Sequence, residues 1–276
     1  MKFRTEIEIA PWERKIEHSR PGFSVGSCFA DRIAERLGQA KFRLTANPTG
    51  VLYNPFSIAD MLEDEPAGLA EAEWVLVTFG TAWVYEEEGR VVANCGKRPA
   101  DVFTRRRLSV AQIVERFDGL MEGALRGKQI IFTLSPVRHL KDGFEENSLS
   151  KATLRLAIDE VVRKHPANAQ YFPAYEILND DLRDYRFYGP DLAHPSTQAV
   201  DYIWEKFVAA ALSPQTQKLL PKIDNIVRAA AHRPFDPATE EHALFRRGMF
   251  EKARLLAADH PEIDMSGEMD FFGDAK

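Results

Sequence analysis

The chain has 276 residues, of which 45% are hydrophobic and 28% charged, and it carries a formal net charge of −6. That suits one large α/β domain with or without an appendage, whose core needs no disulfide staples. A negative balance without a basic stripe argues against nucleic acid as a partner, and no apolar run approaches the roughly 20 residues of a membrane span.

Residues 1–21 are polar and punctuated by Pro11 and Pro21, which predicts an extended arm lying on the domain. They contain no apolar core of a secretory signal. Two cysteines, Cys28 and Cys95, are too few for a disulfide framework and fit a reducing compartment, so a cytoplasmic protein is expected. Phe23-Ser24-Val25 reads as a short strand ended by Gly26. Ala30 to Leu37 then reads as a helix, with Ile33, Ala34 and Leu37 on one face and Gly38 as its stop. Asn47 to Pro55 is a loop with two Asn-Pro turn signals, and Ser57 is the expected cap of the helix that follows.

Trp74 to Phe79 is a near-continuous apolar run, the pattern of a parallel strand buried on both faces. Val84-Tyr85 and Val91-Val92 flank an acidic turn and predict a peripheral hairpin. Ser109 opens an amphipathic helix through Met121, and Gln129 to Leu134 is a second buried strand. A helix is expected from Ser148 to Arg163, with Ser150 as a cap. A short strand follows at 169–173, and a helix at 197–211 turns Val200, Ile203, Trp204, Phe207 and Val208 inward. Alternating strands and helices argue for a doubly wound parallel sheet. Residues 212–276 are charged and helix-prone, an appendage whose last dozen residues read as frayed.

Such sheets bind ligands beyond the carboxyl ends of their strands. The first turn there, Gly26-Ser27-Cys28, offers a serine and a cysteine at a helix start, where unpaired N–H groups can hold an oxyanion and lower a thiol pKa. The bland alternative is a small residue buried in a tight turn, and cysteine is often buried. Asp191-Leu192-Ala193-His194 offers an imidazole and a carboxylate to orient it. Alone, that spacing equally fits a surface loop before a helix. Gly22-Phe23-Ser24-Val25-Gly26 matches the G-x-S-x-G elbow, but its serine lies inside the strand rather than on a strand-to-helix turn. There is no dinucleotide or Walker motif, and the seven histidines lack ligand spacing, so neither a metal nor a cofactor is expected.

Taken together, the pieces resemble a known family. Gly26-Ser27-Cys28-Phe29-Ala30, NPTGVLYNP at 47–55, TFGTAWVY at 78–85, NCGKRP at 94–99, SPVRHLKDGFEENSLSKATL at 135–154 and YFPAYEILNDDLRDYRFYGPDLAHPS at 171–196 stand in the order of the GSCFA family. The resemblance spans about residues 22 to 208. The family is grouped with the SGNH hydrolases. It implies a three-layer doubly wound α/β domain of SGNH/flavodoxin-like order at 22–211, with the arm at 1–21 and the helical appendage at 212–276. One departure is Asn94-Cys95-Gly96-Lys97, where the family has histidine in place of Gly96.

The resemblance also implies roles. Aligned without a gap on the Gly-Asp-Ser of SGNH enzymes, Cys28 takes the nucleophile position; slipped by one, Ser27 does. His194 becomes the general base and Asp191 its orienting partner. Gly50 matches the second oxyanion position. The third aligns with Gly80-Thr81, lacks its asparagine, and leaves Thr81 or Asn54 as substitutes. Arg138, His139, Asn94 and Lys97 are candidates for binding substrate, the first two for an anionic group. The implied reaction is hydrolysis or transfer of an O-acyl group, acetyl in the reading taken here, on a small or carbohydrate-like ester. An acyl donor such as acyl-CoA serves the transferase case. A catalytically silent ligand-binding domain is the alternative, motivated by the missing asparagine and the altered Asn-Cys-Gly-Lys.

Overall fold

The computed structural model describes residues 4–96, 98–236 and 238–273. Strand β1 (Gly22–Gly26) leads through Ser27 into α1 (Cys28–Gln39), followed by β2 (Leu44–Ala46), α2 (Pro55–Glu63) and β3 (Trp74–Phe79). A small sheet of β4 (Trp83–Glu87), β5 (Arg90–Val92) and β6 (Thr104–Arg107) precedes α3 (Val110–Glu122) and β7 (Gln129–Leu134). Then come α4 (Phe144–Lys164), β8 (Ala169–Phe172), the short α5 (Ala174–Glu176) with a π-helical turn over Ile177–Leu182, and α6 (Thr197–Ala211). Helices α7 (Pro214–Ala231), α8 (Glu240–Asp259) and α9 (Ser266–Gly273) close the chain.

The main sheet has the order β2-β1-β3-β7-β8 with every neighbour pair parallel, the doubly wound plan read from the alternation of strands and helices. Its central strands β1, β3 and β7 are buried along their whole length and mostly apolar because both faces are covered. Val75, Val77 and Phe79 of β3, with Ile130, Phe132 and Leu134 of β7, pack under α2, α3 and α4. Trp74, Leu76 and Ile131 face the opposite layer, where Ile33 and Leu37 of α1 meet Ile203 and Phe207 of α6. Trp12 from the N-terminal segment sets its ring edge-on to Phe172 and Phe207, at 6.4 and 5.9 Å between centroids, and Ile16 pairs with Leu212.

Several local expectations are corrected. Asn54, not Ser57, caps α2: Pro55 takes the first helical position, which needs no N–H, and Asn54 Oδ1 accepts from Ser57 N. α4 begins at Phe144, a full turn before Ser148, so Ser150 is an interior residue and no cap. Gly38 does not stop α1, which runs to Gln39 and turns at Lys41 with φ 63°. The hairpin gains β6 as a third strand. The C-terminal segment is not frayed through 273: Met265 and Phe272 are buried with Leu219, Ile223 and Leu256 in a separate small core of α7, α8 and α9. An ion pair of 2.7 Å between Lys41 and Glu268 ties that core to the turn after α1.

Candidate active site

The site begins with a backbone constraint. Gly26 has φ +135°, and a Cβ there would sit 2.1 Å from the Thr78 carbonyl oxygen of β3, so only glycine lets β1 turn this sharply beside its neighbour. Ser27 follows with its N–H donated to the same carbonyl at 3.1 Å. Its Oγ accepts from Phe29 N at 3.3 Å as the cap of α1, and the residue is 1% exposed. Cys28 is the next residue, half-buried, and lines the cleft at the carboxyl edge of the sheet. Phe29 N and Ala30 N turn back to Ser27, and Cys28 N has no backbone or side-chain acceptor among the described residues.

From the other end of the domain, the segment before α6 reaches the same point. Cys28 Sγ lies 3.3 Å from His194 Nε2, and His194 Nδ1 lies 2.6 Å from Asp191 Oδ2. The carboxylate's other oxygen accepts from Ala193 N and His194 N, both at 3.0 Å. One oxygen therefore shapes the turn and the other orients the ring. A carboxylate only accepts, so the imidazole proton sits on Nδ1 and Nε2 turns its lone pair to the thiol. The loop is braced from both sides: Gly189 N donates to His194 O at 2.8 Å, and Arg138 N donates to Ala193 O at 3.1 Å.

Electrostatics assign different states to these groups. Bonds from the His194 and Ala193 N–H groups and the His194 ring hold the Asp191 carboxyl down at about 2. Burial pushes the Cys28 thiol up, outweighing its own N–H, and Asp31 adds to the rise while Lys151 opposes it. This overturns the lowered thiol expected from the helix start. His139 falls to about 4, chiefly through burial, with the Lys151 ammonium acting in the same direction. It is neutral at physiological pH, so it offers an anion no charge, which corrects that part of its expected role.

The cleft has a volume of about 720 Å³, and Tyr53, Trp83, Tyr85, Arg138 and His139 line it alongside Cys28 and His194. The Arg138 guanidinium stacks on the Tyr188 ring at 3.9 Å and has no carboxylate partner among the described residues. Asn94 also lines the cleft, with Oδ1 accepting from Gly96 N at 2.8 Å. Lys97 lies outside the described residues. Of the three residues expected at the oxyanion, Asn54 and Thr81 line this cleft with Cys28 and His194 and Gly50 does not, and each makes local hydrogen bonds. Gly50 donates its N–H to Asn47 O at 2.8 Å in an exposed turn. Asn54 spends Oδ1 on Ser57 N and Nδ2 on Ser57 Oγ, at 2.9 and 3.0 Å. Thr81 Oγ1 accepts from Trp83 N and shares a hydrogen bond with Ser150 Oγ, both at 3.1 Å. Ser24 of the G-x-S-x-G string is fully buried within β1.

One residue beneath the site was not singled out from the sequence. Lys151 of α4 is 2% exposed and donates from Nζ to Gly80 O and Ser135 O, each at 2.7 Å. A signal existed: Lys151, Leu154, Ile158 and Val161 follow the spacing of a buried helical stripe.

A parallel sheet of this order, with a thiol, an imidazole and a carboxylate meeting at its carboxyl edge, defines a doubly wound α/β protein. The chain belongs to the GSCFA family, which matches residues 22–68 and 66–207; the C-terminal domain of GSCFA domain proteins matches 223–275. No curated protein matches the chain. Similar solved structures include a GDSL-like lipase from Bacteroides thetaiotaomicron, with 10% identity, 76% of this chain and 92% of that one covered, and a TM-score of 0.43. Another is the lipase/acylhydrolase from Enterococcus faecalis, at 12% identity, with 74% and 96% covered and a TM-score of 0.43. A carbohydrate esterase family 3 member from Talaromyces cellulolyticus has 11% identity, 75% and 99% coverage and a TM-score of 0.37. The likeness is loose at these scores, and the architecture rests on the strand order itself. No described helix is long and apolar enough to cross a membrane.

Proposed function

We propose that this protein is an acyl-ester hydrolase or O-acyltransferase in which Cys28 is the nucleophile, His194 the general base and acid, and Asp191 the residue that orients His194. The observation carrying this reading is the continuous chain from Sγ through the imidazole to the carboxylate, at 3.3 and 2.6 Å. Cys28 is favoured over Ser27 because Ser27 Oγ is buried as a helix cap while the thiol lies in the cleft.

The thiol is protonated near neutral pH, so it needs a base. His194 Nε2 takes the proton as Sγ attacks the acyl carbon, and the carbonyl electron pair moves onto oxygen. Cys28 N–H faces that developing oxyanion. When the tetrahedral adduct collapses, the carbon–oxygen ester bond breaks and the leaving alkoxide takes the proton from His194, leaving a thioester on Cys28. Water, or the hydroxyl of an acceptor, then attacks this thioester with His194 again removing the proton. Release of acid or new ester returns the thiol. Asp191 remains ionised throughout and stabilises the imidazolium.

The acyl group is taken as acetyl and the substrate as a small or carbohydrate-like ester. Support comes from the family resemblance and from a cleft walled by Trp83, Tyr85 and Tyr53, with Arg138, which has no carboxylate partner among the described residues, available to an anionic group. An acyl-CoA donor belongs to the transferase case, and two free cysteines suit a reducing cytoplasm. The commitment of Asn54, Thr81 and Gly50 to local bonds favours a second reading, a ligand-binding domain without turnover. Intact-mass detection of an acyl adduct after exposure to p-nitrophenyl acetate separates the two. An adduct mapped to Cys28, absent in Cys28→Ala and slowed in His194→Ala, supports the enzyme. No adduct, with equal background rates in wild type and both variants, supports the binding domain.

A further inference from the structure

Lys151 is an unusual resident of a protein interior. A buried ammonium is costly unless it is paired, and folds normally give it a carboxylate. Here the described hydrogen bonds go to two carbonyl oxygens at the carboxyl ends of adjacent strands, Gly80 after β3 and Ser135 after β7. The ring of Tyr175 lies 6.0 Å from Nζ. No described carboxylate bonds it, so among the described residues any positive charge it carries is held by carbonyl oxygens alone.

Its neighbourhood connects that charge to the thiol. Ser150 and Lys151 together grip the turn after β3: Ser150 Oγ accepts from Ala82 N at 2.8 Å, and Lys151 holds Gly80 O. Gly80 in turn packs against the turn before α1, where a Cβ on it would lie 3.2 Å from Ser27 Cβ and 2.9 Å from Tyr53 O. The groups facing Cys28 are His194, Tyr53, Lys151 and, from its own helix, Asp31; those facing Lys151 are Cys28, His139 and Tyr175.

We propose that Lys151 is a positioning residue for the Cys28 centre, holding the Gly80 turn against it and supplying the buried positive charge that favours negative charge at Sγ and on the oxyanion formed beside it. The proposal rests on Cys28 being the reactive group. Burial lowers the Lys151 ammonium to about 7, and Cys28 acts in the opposite direction, raising it. The coupling is reciprocal: a charged lysine favours the thiolate, and a thiolate favours the charged lysine.

The test uses the full chain with Cys95→Ser, which leaves Cys28 as the one thiol. The rate of Cys28 alkylation by iodoacetamide is followed by mass across pH 6 to 10 in this background, in Lys151→Met and in Lys151→Gln. Gln retains an N–H for the carbonyls but no charge. One pH unit in the thiol's titration is a tenfold change in thiolate, so both variants should alkylate more slowly at neutral pH, by up to about tenfold. A Lys151→Gln protein that titrates like its parent overturns the proposal, since hydrogen bonding alone would then suffice.

A second measurement needs no substitution at Lys151. With ¹³Cε-labelled lysine, one resonance should titrate near neutral pH, far from the rest. Carboxymethylation of Cys28 with iodoacetate, which leaves a fixed negative charge beside Sγ, should place that titration at higher pH than in the neutral carbamidomethyl adduct of the same size, and equal titrations in the two adducts refute the coupling. Neither readout uses turnover. A shifted thiol titration in a protein that never forms an acyl adduct sinks the acyl-transfer reading and leaves Lys151 as proposed. An unshifted titration in an active enzyme does the reverse.

Discussion

Asp191→Asn isolates orientation from charge and from local folding. The asparagine side chain can place its carbonyl oxygen where Asp191 Oδ1 accepts from Ala193 N and His194 N at 3.0 Å, so the turn keeps its shape. The NH₂ group then replaces Oδ2, 2.6 Å from His194 Nδ1. Two donors cannot face each other, so the imidazole moves its proton to Nε2, the nitrogen 3.3 Å from Cys28 Sγ. The base is lost while every residue remains in place. The equivalent change in a serine protease triad lowers kcat by about ten-thousand-fold, and we expect a loss of about a thousand- to ten-thousand-fold here, or about 4 to 5.5 kcal/mol in the barrier.

The nucleophile being a thiol adds a distinguishing feature. Burial raises the Cys28 thiol, so the proton leaves unaided only at alkaline pH. Activity of Asp191→Asn should therefore recover as pH rises through the thiol's own titration, because a thiolate needs no base to attack. Ester hydrolysis and thermal melting measured side by side from pH 6 to 10 check this. A variant within about threefold of wild type at pH 7, or one that gains nothing at alkaline pH, refutes the orientation argument.

Four further variants have expected outcomes. Ser27→Ala removes the cap of α1 and should cost about 1 kcal/mol in urea unfolding while acyl-adduct formation persists; Cys28→Ala abolishes the adduct with little change in stability. Gly26→Ala forces a Cβ against the Thr78 carbonyl at a positive φ, and chemical denaturation should show a loss of about 2 kcal/mol or more. Asn54→Ala should lower stability by about 1 kcal/mol through its cap to Ser57 with kcat nearly unchanged; a hundredfold fall in kcat at normal stability would restore Asn54 as an oxyanion donor.

The protein's own sequence determined the layered plan and the two segments that meet. Strands β1, β3, β7 and β8 were legible because strands buried on both faces must be apolar along their length and are bounded by Gly, Pro or Ser. β2 was not, since it has only three residues and none of them is buried. The inward stripes of α1 and α6 were legible from their periodicity, whereas the start of α4 was hidden by the polar run at Glu145 to Ser148. Tertiary structure alone decided what one residue of register does at the first turn. Ser27 points inward as a cap and Cys28 outward into the cleft, because Gly26 bends against β3. It also decided the direction of the thiol's shift, since desolvation depends on everything packed around a group while the helix start is only local. The same reason hid Lys151: its spacing marks a buried stripe, but which carbonyls receive its ammonium is fixed by strands β3 and β7 coming side by side.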